Sequence, residues 1–84
     1  MKKVTIYTGP MCNYCEAAKR LLIRNNTSYT EINIANVDGA MDEMIKKANG
    51  KRTIPQIFFN DQHIGGYDEV RALEKENKLQ ELLK

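Results

Sequence analysis

Two cysteines, Cys12 and Cys15, are the residues with the most chemistry to offer, and they stand three positions apart. A bridge between them closes a tiny loop, so it restrains little of the unfolded chain. In a reducing compartment such a pair indicates redox chemistry or metal binding. Zinc needs four ligands of the nitrogen or sulfur type, and outside this motif only His63 is a good one. The spacing therefore favours thiol–disulfide exchange over a zinc site or a pair of inert core thiols.

The position of Cys12 predicts which thiol reacts first. Gly9-Pro10 predicts a loop before it, and helical spacing begins at the motif. The first turn of a helix carries unpaired N–H groups and a partial positive charge, which stabilise a thiolate, and only the thiolate is nucleophilic. Cys15, one turn later, lies on the same side of the helix. We expect Cys12 to attack and Cys15 to resolve a disulfide held on Cys12.

The first half of the chain reads as strand, helix and strand. The pattern predicts a strand at 4–7, a helix from Cys12 to Asn25 and a second strand at 29–34. Strand, helix and strand within about 30 residues form a βαβ unit, so these two strands should be parallel.

The second half predicts a helix, a hairpin and a last helical region. Asp38 is the expected N-cap of the helix and Gly50 its stop, and its inner stripe consists of Met41, Met44, Ile45 and Ala48. Strands follow at 55–59 and 62–64, joined by a turn. Tyr67 or Asp68 opens the next helix, and a Leu79, Leu82 and Leu83 stripe closes the chain with a short helix.

Length, charge and composition limit which other classes of protein the chain could belong to. The chain has 84 residues and a formal net charge of +2, with basic and acidic residues mixed along it. This length predicts one domain, 1–84, and the charge pattern gives no sign of nucleic-acid binding. No apolar run is long enough to span a bilayer, and no signal-peptide pattern follows the first residues. We expect a cytoplasmic monomer without membrane partners.

Three separated motifs are spread over nearly the whole chain. The first is Tyr7-Thr8 followed by Cys12-Asn13-Tyr14-Cys15, the second is the segment 53–58, Thr-Ile-Pro-Gln-Ile-Phe, and the third is the segment 63–68, His-Ile-Gly-Gly-Tyr-Asp. In this order they resemble the glutaredoxin family. The resemblance implies an α/β thioredoxin fold, with a four-stranded mixed sheet in the order 2-1-3-4 flanked by helices. It also implies a cis bond before Pro55.

The resemblance further implies a glutathione-dependent thiol–disulfide oxidoreductase that acts on glutathione-mixed and protein disulfides. Cys12 and Cys15 would be the catalytic residues, and no metal ligand is expected. The residues implied for glutathione binding are Tyr14, Arg52, Thr53, Ile54, Pro55, Gly66, Tyr67 and Asp68. Arg52 or Lys51 would meet the glycyl carboxylate. Backbone N–H groups at the third helix would take the γ-glutamyl carboxylate, and Asp68 would take the amine.

Two departures from the family keep alternatives open. Proline is usual in the family where Asn13 stands, and lysine is frequent where Gly9 stands. Dithiol relatives without that proline include some that bridge two subunits through a [2Fe–2S] cluster, so a cluster-binding protein is the alternative function. A thioredoxin-reductase-dependent electron donor is a third hypothesis, which the Gly-Gly-Tyr-Asp turn disfavours. His63 is interpreted as structural or solvent-facing.

Overall fold

The computed structural model describes residues 1–84 as four strands and four helices. In chain order they are β1 (Val4–Thr8), α1 (Asn13–Arg24), β2 (Thr30–Asn33), α2 (Ala40–Lys47), β3 (Gln56–Phe59), β4 (Gln62–Gly65), α3 (Tyr67–Lys75) and α4 (Leu79–Leu83). This order, including the short helix at the end, confirms the predicted succession of elements.

The strands form one mixed sheet in the order β2-β1-β3-β4. β1 pairs with β2 in parallel, with Thr5 opposite Thr30, and with β3 in antiparallel, with Ile6 opposite Ile57. β3 and β4 form an antiparallel hairpin with a register shift between Ile57 and Phe58. The parallel βαβ half and the antiparallel ββα half confirm the predicted thioredoxin fold.

Apolar side chains cover both faces of the sheet. Because successive residues of a strand point to opposite faces, Ile6 and Tyr7 belong to different clusters. The larger cluster contains Val4, Ile6, Ala18, Leu21, Leu22, Ile57, Phe59, Val70, Leu79 and Leu83. The smaller one joins the other face to α2 through Tyr7, Met44, Ala48 and Phe58. None of the helices has the length and apolar character that a bilayer crossing requires.

The start of α2 differs from the expectation. Gly39 is the N-cap in place of Asp38, and no side chain caps the helix there. Ala40 takes the first buried position, so the buried row runs at four-residue spacing through Met44 to Ala48. Met41 stands one position further round the helix, and it is 42% exposed instead of lying on the inner stripe.

Candidate active site

Cys12 is the N-cap of α1. Its backbone is extended, with φ −118° and ψ 98°, and its sulfur accepts a hydrogen bond from the backbone N–H of Cys15 at 3.1 Å. Asn13 therefore occupies the first helical position, where a proline would have no N–H to offer. The sulfur of Cys12 occupies the positive end of the helix, which is the location that the sequence predicted.

The two sulfurs differ in their access to solvent. Cys12 and Cys15 are joined by a disulfide, with their Cα atoms 5.2 Å apart. Cys15 is only 1% exposed, because it lies on the buried stripe of α1 with Ala18 and Leu22, whereas Cys12 is partly exposed. A molecule arriving from solvent therefore meets Cys12 first, and Cys15 reaches that molecule only through Cys12.

The loop before β3 brings backbone groups to the Cys12 sulfur. The peptide bond between Ile54 and Pro55 is cis, and the carbonyl oxygen of Ile54 lies 3.8 Å from Cys12 Sγ. A Cβ atom added at Gly9 would lie 2.6 Å from Cδ1 of Ile54. Gly9 thus leaves room for the Ile54 side chain, which gives a packing reason for the absence of a longer residue there.

A cleft of about 320 Å³ opens beside this loop. It is lined by Tyr14, Lys51, Thr53, Ile54, Pro55, Gln56, Gly66, Tyr67, Asp68 and Glu69. Seven of the eight residues implied for glutathione binding line it, and Arg52 does not. Lys51, the alternative to Arg52, does. The rings of Tyr14 and Tyr67 face each other across 5.8 Å at a tilt of 36°.

Glu69 and Gln56 are lining residues that the sequence reasoning missed. Glu69 stands at the third position of α3, and its Oε1 accepts the backbone N–H of Gly66 at 2.6 Å. This is the glutamate half of a capping box, and glycine has no side chain to supply the other half. A glutamate three residues after the Gly-Gly turn was the available signal for it. No comparable signal pointed to Gln56.

A polar cluster ties α1 to α3 at the ends away from the cleft. Glu74 accepts hydrogen bonds from Arg24 Nη2 at 2.7 Å, Arg24 Nε at 2.9 Å and Asn25 Nδ2 at 2.7 Å. Arg71 Nη1 adds a fourth at 3.0 Å. The hydrogen bonds from Arg24 are the main cause that lowers the pKa of Glu74 from 4.5 to about 2. Both helices begin at the cleft, so this cluster holds their far ends together.

Comparison with known proteins decides the family. A model of the glutaredoxin family matches residues 4–64. The chain belongs to the glutaredoxin family. It is 44% identical to glutaredoxin 3 of Escherichia coli strain K12 over 84 residues, which covers all of both chains. The solution structure of glutaredoxin from Brucella melitensis has a TM-score of 0.85 and 44% identity, over 100% of this chain and 90% of that one.

A crystal structure of a buckwheat glutaredoxin–glutathione complex is also similar, with a TM-score of 0.86 and 26% identity over 98% of this chain and 76% of that one. Membership makes this glutaredoxin a thiol–disulfide oxidoreductase, and its Cys12–Cys15 pair fits the Cys-x-x-Cys active site of the family.

One chain supplies few of the ligands that a metal site needs. No group of three or more His, Cys, Asp or Glu side chains is placed to hold a metal ion. One chain of this glutaredoxin presents one accessible cysteine sulfur, since Cys15 is buried. A [2Fe–2S] cluster, which takes four thiolate ligands, would therefore need thiolates from outside one chain.

Proposed function

We propose that this glutaredoxin reduces glutathione-mixed disulfides and protein disulfides at the expense of glutathione. The observation that carries the proposal is the unequal access of the two sulfurs. Cys12 is partly exposed and contacts Ile54, which lines the cleft, whereas Cys15 is buried. This arrangement suits a reaction in which one thiol takes the substrate and the other acts only from inside the protein.

In the first route only Cys12 forms bonds to the substrate. Its thiolate attacks the glutathionyl sulfur of a mixed disulfide, and the substrate leaves as a thiolate that takes a proton from water. A second glutathione thiolate then attacks the same glutathionyl sulfur and releases oxidised glutathione and the Cys12 thiolate. The arriving glutathione supplies the electron pair that reduces the substrate, and the glutathionyl group passes from the substrate to Cys12 and then to that glutathione while its sulfur stays at the disulfide level.

In the second route Cys15 resolves a protein disulfide. Cys12 attacks one sulfur of the substrate and becomes linked to it, and the other substrate sulfur leaves as a thiol. Cys15 then attacks Cys12, which releases the second substrate thiol and forms the Cys12–Cys15 disulfide seen in the structure. Two glutathione molecules subsequently reduce that disulfide and are themselves oxidised.

The lining of the cleft supports glutathione as the ligand. The backbone of Ile54 offers pairing to the cysteinyl unit, as an added strand does. Because Glu69 already accepts the N–H of Gly66, the following N–H groups of α3 remain for the γ-glutamyl carboxylate, and Asp68 suits its amine. Lys51 suits the glycyl carboxylate better than Arg52, since only Lys51 lines the cleft. The glutathione complex of the buckwheat relative supports this assignment.

Two cysteine substitutions test the mechanism. With a small glutathione-mixed disulfide, glutathione and glutathione reductase, we expect Cys12→Ser to reduce the rate to that of buffer and Cys15→Ser to keep most activity. With a protein disulfide as substrate, both variants should fail. Equal loss in both variants with the small substrate would show that Cys15 is needed in every cycle and would overturn the first route.

A charge substitution tests the ligand. Removing one solvent-accessible charged hydrogen bond costs about 1 kcal/mol, so Asp68→Asn should raise KM for the mixed disulfide roughly fivefold with little change in kcat. Asp61→Asn, in the β3–β4 turn outside the cleft, is the matched control and should leave both constants unchanged. An unchanged KM in Asp68→Asn would refute the proposed amine site.

We place this activity in the cytoplasm, where thiols are kept reduced, and we propose that the protein acts as a monomer. Anaerobic reconstitution with iron, sulfide and glutathione, followed by sedimentation, tests the oligomeric state. A colourless monomer is expected. A brown dimer would instead support the cluster-binding alternative.

A further inference from the structure

A chain of hydrogen bonds runs from β4 to the cleft through the buried side chain of Gln56. His63 Nε2 lies 2.7 Å from Gln56 Oε1. The amide nitrogen of Gln56 donates to the carbonyl oxygen of Thr53 at 3.0 Å and to its hydroxyl at 3.1 Å. Gln56 is 1% exposed, so water cannot replace the hydrogen bonds of its side-chain amide. Thr53 immediately precedes Ile54, whose carbonyl contacts the Cys12 sulfur.

The second nitrogen of the same imidazole reaches the other end of the loop. His63 Nδ1 lies 3.4 Å from Nδ2 of Asn49, the residue that follows α2 by two positions. His63 is thus linked to the beginning of the segment 49–53 through Asn49 and to its end through Gln56 and Thr53. Lys51, the cationic residue of the cleft, lies between these two anchors.

The partners determine which nitrogen of His63 carries the proton. The Gln56 amide nitrogen already donates to Thr53, so its oxygen must be the group that accepts, and Nε2 of His63 must donate. Nδ1 is then unprotonated and accepts from the Asn49 amide. One neutral tautomer satisfies both contacts. A proton added to Nδ1 would face the Asn49 amide donor, and that link would be lost unless Asn49 turned its amide.

The surroundings of His63 favour the neutral form near pH 7. Burial lowers the pKa of the imidazole below its ordinary value of 6.5, the ammonium of Lys51 lowers it further, and the Glu69 carboxylate on α3 opposes both. The Phe58 ring of β3 packs against the imidazole with centroids 5.1 Å apart and adds no charge. Protonation of His63 therefore requires a lower pH than that of an imidazole in water.

We propose that neutral His63 is a positioning residue of the cleft, which holds the segment 49–53 at both ends and weakens glutathione binding when it becomes protonated. This inference rests on the proposed function, because it concerns the same cleft. It also assigns a role to a residue whose sequence context predicts only a structural or solvent-facing position. His63 touches neither the reacting sulfurs nor the cleft itself, and it acts through Gln56 and Asn49.

Binding of S-methylglutathione tests the proposal without a reacting thiol on the ligand. The measurement uses the Cys12→Ser background, which removes the titration of the Cys12 thiol, and calorimetry at pH 7.0 and at a lower pH where NMR shows the imidazole of His63 to be protonated. Losing a hydrogen bond worth about 1 kcal/mol predicts binding that is weaker by up to about fivefold at the lower pH. His63→Gln, which keeps a donor for Gln56 and does not titrate, should bind equally at both pH values. The comparison also cancels any titration of the ligand.

A second variant and a ligand-free signal complete the test. His63→Phe keeps a ring against Phe58 but loses both hydrogen bonds, so it should bind weakly at both pH values. In the unliganded protein, the NMR signals of the Asn49 side-chain amide and the Thr53 backbone amide should shift with the imidazole titration of His63.

The outcomes separate the two proposals. No binding of S-methylglutathione at pH 7.0 in any variant refutes the glutathione site of the proposed function. Binding without a pH slope, or a slope that persists in His63→Gln, refutes the role of His63. An Asn49 amide signal that ignores the imidazole titration overturns it as well, even if the ligand binds.

Discussion

The cluster around Glu74 allows a quantitative prediction of stability. Glu74→Gln keeps the size of the side chain and removes its charge. The carboxylate has four hydrogen-bond donors within 3.0 Å, three of them from the arginines Arg24 and Arg71. We expect this substitution to destabilise the protein, because it converts charge-assisted hydrogen bonds into weaker neutral ones.

The lowered pKa of Glu74 sets an upper limit on the free energy of unfolding that Glu74→Gln can lose. A fall from 4.5 to about 2 is a difference of about 2.5, which corresponds to roughly 3.4 kcal/mol at about 1.36 kcal/mol per pKa unit. The side chain of Glu74 is 18% exposed but that of Arg24 is 50% exposed, so solvent screens part of the attraction. We therefore expect a loss of about 1–2 kcal/mol, with a fall in Tm of about 4–8 °C for each kcal/mol.

The direction of the pKa shift predicts how the stability contribution of Glu74 changes with pH. The folded-state pKa of Glu74 lies below the unfolded value, so its contribution is complete above pH 4.5 and is lost as pH falls toward 2. Urea unfolding of the wild type and of Glu74→Gln at pH 7, 5 and 3.5 should show a difference in the free energy of unfolding that narrows at the lowest pH.

Glu76→Gln is the matched control, because Glu76 forms only an exposed pair with Lys78 and should change stability by less than about 0.5 kcal/mol. A Glu74→Gln variant as stable as that control, or a gap that widens in acid, would refute the reasoning.

Two further substitutions test local geometry. Gly65 has φ +130°, and an added Cβ would lie 2.6 Å from Oε1 of Glu69, so Gly65→Ala should cost about 1–3 kcal/mol in urea unfolding. Gly50→Ala is the control and should cost less, because Gly50 has φ +89° but no atom within 4 Å of the added Cβ. Equal costs would show that the contact with Glu69 is unimportant. Tyr7→Phe removes the hydroxyl that donates to Glu43 Oε1 at 3.0 Å, and a loss of about 0.5–1.5 kcal/mol in thermal unfolding is expected, whereas an unchanged Tm would mean that water replaces this bond at no cost.

The order and pairing of the elements follow from local patterns in the sequence. The βαβ half needs only a strand, a helix and a strand at short range, and the hairpin needs only a turn between two apolar runs. The register of α2 was harder to predict. Two rows of apolar residues in α2 have helical spacing, Met41 with Ile45 and Ala40 with Met44. Only the sheet face that the helix covers decides which row is buried more deeply. The periodicity alone carries no such information.

The cleft shows the same division between local and distant causes. Gly66 and Asp68 belong to a motif whose turn and helix start are local, and the structure places them in the cleft. Lys51 and Arg52 are neighbours in a loop without periodicity, so the choice between them depends on how the segment 49–53 is held. Local backbone hydrogen bonds hold Gly50 and Lys51, but His63 on β4 contacts Asn49 directly and Thr53 through Gln56, and nothing near Lys51 in the sequence reveals those contacts.

The burial of Cys15 behind Cys12 also has a consequence for survival under peroxide. Peroxide oxidises an accessible thiolate to a sulfenic acid, and further oxidation to the sulfinic or sulfonic acid is irreversible in most proteins. Here the first product on Cys12 has a thiol one helical turn away, within the disulfide geometry that the structure contains. Condensation of the two releases water and leaves a disulfide, which ordinary reductants reverse. The second cysteine thus protects the first from permanent damage, even in a cycle that does not otherwise use it.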